Sequence, residues 1–230
     1  MKLVVINPNS TRSMTDKIVA SARAVAAPGT EVEGRTADGA PASIEGHFDE
    51  VMSAAHLLRE VQEARDADAI VVACFDDPAI GACREVATGP VIGICEAAVK
   101  AASMIATSFS IVTTLPRSVP VIEELVRKYG LDHQCRRVRS AAIPVLALEE
   151  PGSNARQQVR AEILRAIEED RCEAVVLGCA GMSDLTEWLS AETGIPVIDG
   201  VTVATKLAEA LVGAGLKTSK IGAYATPNQK

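Results

Sequence analysis

The feature that most constrains this chain is that its second half repeats its first, with a cysteine at the same point of each copy. Asp68-Ala-Ile-Val-Val-Ala-Cys74 is answered about 105 residues later by Glu173-Ala-Val-Val-Leu-Gly-Cys179. Gly89-Pro-Val-Ile-Gly93 and Ile195-Pro-Val-Ile-Asp199 match at nearly the same offset, and Leu3-Val-Val-Ile-Asn-Pro8 answers Ser110-Ile-Val-Thr-Thr-Leu-Pro116. A duplicated unit with one thiol per copy predicts two lobes facing each other across a cleft, with a sulfur on either side of it. That geometry suits removal of a proton from one face of a carbon and its return to the other.

Apolar runs rich in Val and Ile predict strands at residues 2–6, 31–36, 69–73, 91–94, 109–113, 137–141, 174–177 and 197–198. Runs without polar alternation suit parallel strands covered on both faces. Between them, side chains recur at helical spacing: Met14, Ile18, Ala22 and Val25; Phe48, Val51, Met52, Ala55 and Leu58; Ile122, Leu125, Val126 and Tyr129; Val159, Ile163 and Ile167; Val203, Leu207 and Leu211. Each stripe is expected to face the core. Asp77 before Pro78 reads as an N-cap followed by a first-turn proline.

The expected fold is therefore α/β, with two pseudo-symmetric lobes, each a parallel four-stranded sheet flanked by helices, and the active site in the cleft between them. Residues 1–105 plus 200–230 form the first lobe, which carries Cys74, and residues 106–199 form the second, which carries Cys179. The last helix, near 200–213, is expected to return to the first lobe, and the tail after Gly215 to be frayed.

Composition narrows the partners. The 230 residues are 48% hydrophobic, which excludes global disorder, and only 3% aromatic, which disfavours stacking platforms for bases. Lys and Arg number 23 against 30 Asp and Glu, for a net charge of −7. Arg136, Arg137 and Arg139 read as a solvated face, so nucleic acid is not an expected partner. No apolar run has membrane-spanning length, and the N-terminus lacks signal-peptide organisation, so neither membrane nor export is expected and the default compartment is the cytoplasm. There the six cysteines are expected to be thiols. They show no Cys-x-x-Cys pair and no zinc-type clustering with His47, His56 or His133.

Ligands of open α/β sheets bind beyond the carboxyl ends of the strands. Four such ends carry suggestive residues: Asn7-Pro8-Asn9-Ser10-Thr11, Cys74-Phe75-Asp76-Asp77, Thr113-Thr114 and Cys179-Ala180-Gly181. Each precedes a helix, whose N-terminus is expected to lower the pKa of a nearby thiol. A lone cysteine ending an apolar strand commonly serves as a small core hydrophobe. Two at matched points, the second flanked by Gly178 and Gly181, read as functional. Cys83, Cys95, Cys135 and Cys172 read as structural. Asn9, Ser10, Thr113 and Thr114 could cap helices or hold a substrate, and Asp76 could orient one. No phosphate loop, dinucleotide turn, nucleophile elbow or pyridoxal-phosphate lysine is present, so no cofactor is expected.

Six segments resemble the hydantoin racemases of the aspartate/glutamate racemase superfamily, and they span nearly the whole chain. They are Ile6-Asn-Pro-Asn-Ser-Thr11, Pro41-Ala-Ser-Ile-Glu-Gly-His-Phe-Asp-Glu50, Ala73-Cys-Phe-Asp-Asp-Pro78, Phe109-Ser-Ile-Val-Thr-Thr-Leu115, Val145-Leu-Ala-Leu-Glu149 and Val176-Leu-Gly-Cys-Ala-Gly-Met182. The resemblance implies cofactor-independent racemisation at C5 of 5-monosubstituted hydantoins, with Cys74 and Cys179 as the two acid/bases, in a homo-oligomer. Allantoin racemases are very similar, and allantoin is itself a 5-ureidohydantoin.

On that basis Pro8, Asn9, Ser10, Thr113 and Thr114, with the amides of Ala180 and Gly181, are expected to meet the small-molecule substrate. Ile44 and Phe75 would wall its 5-substituent. Superfamily members acting on amino acids typically follow the first cysteine with Asn-Thr; Phe75 here favours a ring-shaped guest over a free amino acid. Rival readings are an amino-acid racemase, a dithiol redox protein joining Cys74 to Cys179, and a two-lobed binding protein without catalysis.

Overall fold

The computed structural model describes residues 1–148, 150 and 152–228. Glu149 of the Val145–Glu149 motif and Gln229 and Lys230 of the tail lie outside the described residues. The first half runs β1 (Lys2–Asn7), α1 (Arg12–Val25), β2 (Glu31–Thr36), α2 (His47–Glu63), β3 (Ala69–Val72), α3 (Ile80–Val86), β4 (Val91–Gly93) and α4 (Ile94–Ile105). The second repeats it: β5 (Phe109–Thr113), α5 (Val119–Lys128), β6 (Cys135–Ser140), α6 (Ala155–Arg165), β7 (Ala174–Leu177), α7 (Thr186–Thr193), β8 (Val197–Asp199) and α8 (Gly200–Gly213).

The strand orders are β2-β1-β3-β4 and β6-β5-β7-β8, parallel throughout. The expected pair of four-stranded parallel sheets is thus observed. Each sheet reverses its winding between its first and third strands. The crevice at that switch point, beyond the carboxyl ends, is where open sheets hold ligands. The strands that flank it are buried on both faces, as their unbroken apolar runs require.

Side chains facing between the sheets form one core. Leu3, Val5 and Val71 of one sheet join Phe109, Ile111 and Val176 of the other through α1, α4, α5 and α8. The outer faces bury separate clusters, Val4, Ile6, Ile70 and Val72 under α2 and α3, and Val112, Val175 and Leu177 under α6 and α7. α4 and α8 start directly where β4 and β8 end and pack against each other. They approach so closely that a Cβ on Gly200 would stand 2.3 Å from the Ile94 carbonyl oxygen. Small buried residues, Ala97, Ala98 and Ala102 on α4 and Ala204 and Ala208 on α8, make the contact possible.

Four expectations need correction. The Phe48, Val51, Met52 stripe of α2 is exposed, and the helix buries Ser53, Leu57 and Val61 instead. Asp77 does not cap the helix that follows it, which begins at Ile80 after Ala79. Arg139 is not solvated: it is 7% exposed and pairs with Asp170 and Glu162 at 2.6 and 3.0 Å. The described tail is tied down, with the Thr218 hydroxyl donating to the Gly89 carbonyl, Lys220 to the Arg84 carbonyl, and Arg84 over the Tyr224 ring. Among the described residues no helix is long and apolar enough to cross a membrane.

Gly200→Ala should force α4 and α8 apart, because its new methyl meets backbone and not a flexible side chain. The expected loss is about 1–3 kcal/mol or more of stability, read as a lowered urea midpoint with unchanged slope.

Candidate active site

Cys74 lies two residues beyond β3 and Cys179 two beyond β7, and the last ladder bond before each is the same. Ala73 N–H donates to the Ile6 carbonyl at 2.8 Å, and Gly178 N–H donates to the Val112 carbonyl at 2.8 Å. The duplication therefore sets both thiols at equivalent switch points. They line one cavity, together with Asn9, Met14, Ile44, Ala73, Phe75, Asp76, Thr113, Thr114, Ser118, Val145, Gly178 and Ala180. Its volume is about 30 Å³, room for water and small for a ring-shaped guest. A larger hollow of about 670 Å³, between Val61 and Pro227, has no cysteine, histidine or carboxylate in its lining.

Of the residues singled out from the sequence, Asn9, Ile44, Phe75, Asp76, Thr113, Thr114, Gly178 and Ala180 meet at this cavity with the two cysteines. Pro8, Ser10 and Gly181 lie outside the lining. Pro8 is buried in the first loop, Ser10 N–H donates to the Pro41 carbonyl, and a Cβ on Gly181 would come 3.7 Å from the Cys179 sulfur. Met14, Ser118 and Val145 were not anticipated as lining. Met14 stands on an apolar stripe, where periodicity does not separate a core face from a cavity wall.

The loop after β1 is stiffened by its own amides. Asn7 Nδ2 donates to Asn9 Oδ1 at 2.8 Å and to the Thr15 hydroxyl at 3.0 Å, while Thr11 N–H donates to Asn9 Oδ1. The Thr113 hydroxyl donates to the Gly178 carbonyl at 2.9 Å, and a Cβ on Gly178 would sit 2.8 Å from Thr113 Cβ. Glycine is required before Cys179 for that approach, which fixes the end of β7.

Asp77 is a cap after all, but of α4. Its carboxylate accepts from the N–H groups of Cys95 and Glu96 at 3.1 and 2.9 Å and from the Tyr129 hydroxyl at 2.7 Å. Burial pushes it up to about 7, against those three hydrogen bonds. Asp77 and Ala79 both sit at positive φ, 43° and 51°, a costly conformation for non-glycine residues that these bonds hold in place. Gly93 makes room for the carboxylate, since a Cβ there would lie 2.3 Å from it.

The expected lowering of the thiol pKa is reversed at Cys74. Burial drives it well above its ordinary value, and the Asp76 carboxylate adds to the rise; the Asp76 N–H, hydrogen-bonded to the sulfur, works the other way. Cys179 lies near enough to raise it further. Helix dipole reasoning fails here because α3 begins only at Ile80, beyond a turn, while a carboxylate stands two residues from the sulfur. No disulfide joins any of the six cysteines.

A two-lobed α/β enzyme with a thiol at the matched switch point of each lobe is the class this geometry defines. Residues 3–208 match the family model described as Asp/Glu/hydantoin racemase. A hydantoin racemase of Rhizobium meliloti is 54% identical, over 100% of this chain and 96% of that one. Among solved structures, allantoin racemase from Klebsiella pneumoniae superposes with a TM-score of 0.98 at 46% identity, covering 100% of this chain and 95% of the other. Allantoin racemase from Pseudomonas fluorescens gives 0.96 at 41% identity, covering 100% and 98%. The chain belongs to the Asp/Glu/hydantoin racemase family and is a racemase.

Alkylation of Cys74 by iodoacetamide, followed by peptide mass spectrometry, should keep accelerating above about pH 9, where an ordinary thiol levels off. A plateau below that pH would contradict the raised pKa.

Proposed function

We propose that this protein interconverts the D and L forms of 5-monosubstituted hydantoins by two-thiol proton transfer at C5, without a cofactor. The observation that carries the reading is the pair of cysteines at equivalent strand ends lining one cavity. C5 lies between a carbonyl and an amide nitrogen, so loss of its proton leaves an enolate. One cysteine, as thiolate, takes that proton and becomes a thiol. The opposite cysteine, as thiol, delivers its proton to the other face and becomes the thiolate. Charge moves from one sulfur to the other, and either enantiomer can be the start.

Asn9 and Thr114, both lining the cavity, would hydrogen-bond the ring, and the Ala180 amide would meet the developing oxyanion. Pro8, Ser10 and Gly181 would support these loops from behind. Ile44 and Phe75, both buried, supply apolar wall for the 5-substituent. Allantoin is a substrate of this same class, and the 46% identity to an allantoin racemase favours testing it beside an aryl hydantoin. The lobe division at 1–105 with 200–230, and 106–199, fits the packing of α8 on α1, α4 and β3. Cytoplasmic location and a homo-oligomer belong to the same reading; the uncovered Phe48, Val51 and Met52 of α2 support the latter.

Enantiopure 5-benzylhydantoin and allantoin, each incubated with the protein in heavy water, should lose optical activity while gaining C5 deuterium. Cys74→Ser and Cys179→Ser should each slow racemisation by about 10²–10⁴-fold, the usual contribution of a general acid/base. Rotation that persists at the rate of the buffer control with wild-type protein would sink the proposal.

A further inference from the structure

Asp76 is the one carboxylate among the residues lining the cysteine cavity, and no lysine or arginine joins it there. It is 6% exposed, and its buried Oδ2 has no hydrogen-bond partner within the described protein. A buried carboxylate oxygen left unmatched is costly unless a ligand supplies the missing donor. We infer that Asp76 sets the charge selection of the site, accepting a hydrogen bond from a neutral N–H-bearing ring and turning away a guest that carries a carboxylate. The inference rests on the hydantoin reading for the ring, though the charge selection itself is separable from it.

The surroundings sharpen that selection. Asp77 follows on the same loop, and Asp49 and Glu50 approach from α2; all three carboxylates disfavour further negative charge at Asp76. Cys74 and Cys179 line the same cavity. On the outer side Asp76 shares a hollow with His47 and Glu50 of α2 and with Glu124 and Lys128 of α5. Lys128 is exposed, lies over the Tyr129 ring and is not among the residues lining the cysteine cavity.

A hydantoin brings two ring N–H groups and no charge, so it satisfies Oδ2. A free amino acid or an acidic 5-substituent brings a second carboxylate into a cavity without a cation, and like charges so placed are strongly disfavoured. Burial pushes Asp76 up to about 7, with Glu50, Asp77 and Asp49 adding to the rise. The carboxylate is thus protonated below that pH and charged above it, and discrimination grows as pH rises through neutrality.

Two pairs of probes differing by one charge test this. The first is 5-(carbamoylmethyl)hydantoin against 5-(carboxymethyl)hydantoin, with racemisation followed by circular dichroism. Wild-type protein should favour the neutral member at least about tenfold in kcat/KM, and Asp76→Asn should narrow the gap by about tenfold, chiefly through KM for the acid. The second is alkylation of Cys74 by iodoacetamide against iodoacetate, quantified by peptide mass spectrometry. Both reagents need the same thiolate, so their rate ratio isolates the charge effect from the thiol pKa.

That ratio should exceed the value for mercaptoethanol in wild type and fall toward it in Asp76→Asn. In wild-type protein alone it should rise between about pH 6 and pH 9, which decides the matter if the variant does not fold. A ratio equal to that of mercaptoethanol and flat with pH overturns the inference, as does one unchanged by Asp76→Asn. If wild type racemises neither hydantoin, the hydantoin reading fails, and the alkylation ratio still decides the role of Asp76.

Discussion

The crossing of α4 and α8 is the contact on which the rest of the molecule depends. Each helix leaves the end of an edge strand without a connecting loop, so its first turn is rigidly coupled to its own sheet. Where the two first turns meet, Gly200 lies against the Ile94 carbonyl with no space for a methyl group. That approach sets the separation of the two sheets, and the sheets carry the cysteines two residues beyond their third strands. A fraction of an ångström gained at the crossing becomes a wider cleft at the thiols, because close-packed interiors transmit displacement and do not absorb it.

Each cysteine loop is also held by the first helix of the opposite half. The Tyr129 hydroxyl, at the end of α5, donates to Asp77 three residues after Cys74. In the mirrored contact, Lys17 on α1 reaches the carbonyls of Gly181 and Leu148, and Ser21 bonds to Ser183 at 2.8 Å. Parting the lobes enough to admit a guest therefore pulls on both loops at once. Both loops thus tie the two halves together around the cavity of about 30 Å³ that the sulfurs line. The two halves are not identical in this respect. Asp77 bridges out of its loop to cap α4, whereas α8 is capped by Asp199 on the strand that precedes it.

Much of this was legible in the chain itself. Parallel strands buried on both faces must be written as unbroken apolar runs, so the eight strands and their duplication could be read directly, and the matched cysteines with them. The errors arose where a pattern has two physical solutions. Periodicity in α2 marks a helix without saying which side is covered, and Ser53, Leu57 and Val61 proved to be the buried side. An acidic residue before proline suits a local cap, yet Asp77 turns back to a helix eighteen residues on, a pairing that only tertiary packing creates. Arg139 follows the same logic: buried carboxylates at Asp170 and Glu162 make a core of an apparent solvent face. The missed Met14, Ser118 and Val145 belong to elements brought together by the fold, and nothing in their local sequence marks them as neighbours.

The reversed pKa of Cys74 has a consequence for the proposed chemistry. A carbon acid gives up its proton reluctantly, and a base of low pKa is a poor match for it. Burial and the neighbouring carboxylate make the Cys74 thiolate scarce but strongly basic once formed. In a two-thiol exchange the single negative charge passes from one sulfur to the enolate and on to the other sulfur, so the cavity holds the same net charge throughout. The desolvation cost of that charge is then met once, on entering the cycle, and largely cancels between ground state and transition state. The scheme tolerates a dry, acidic cavity on one condition, that the guest adds no charge of its own. A neutral ring meets that condition and an amino-acid carboxylate does not, which makes the hostile electrostatics around Cys74 a source of specificity as well as of basicity.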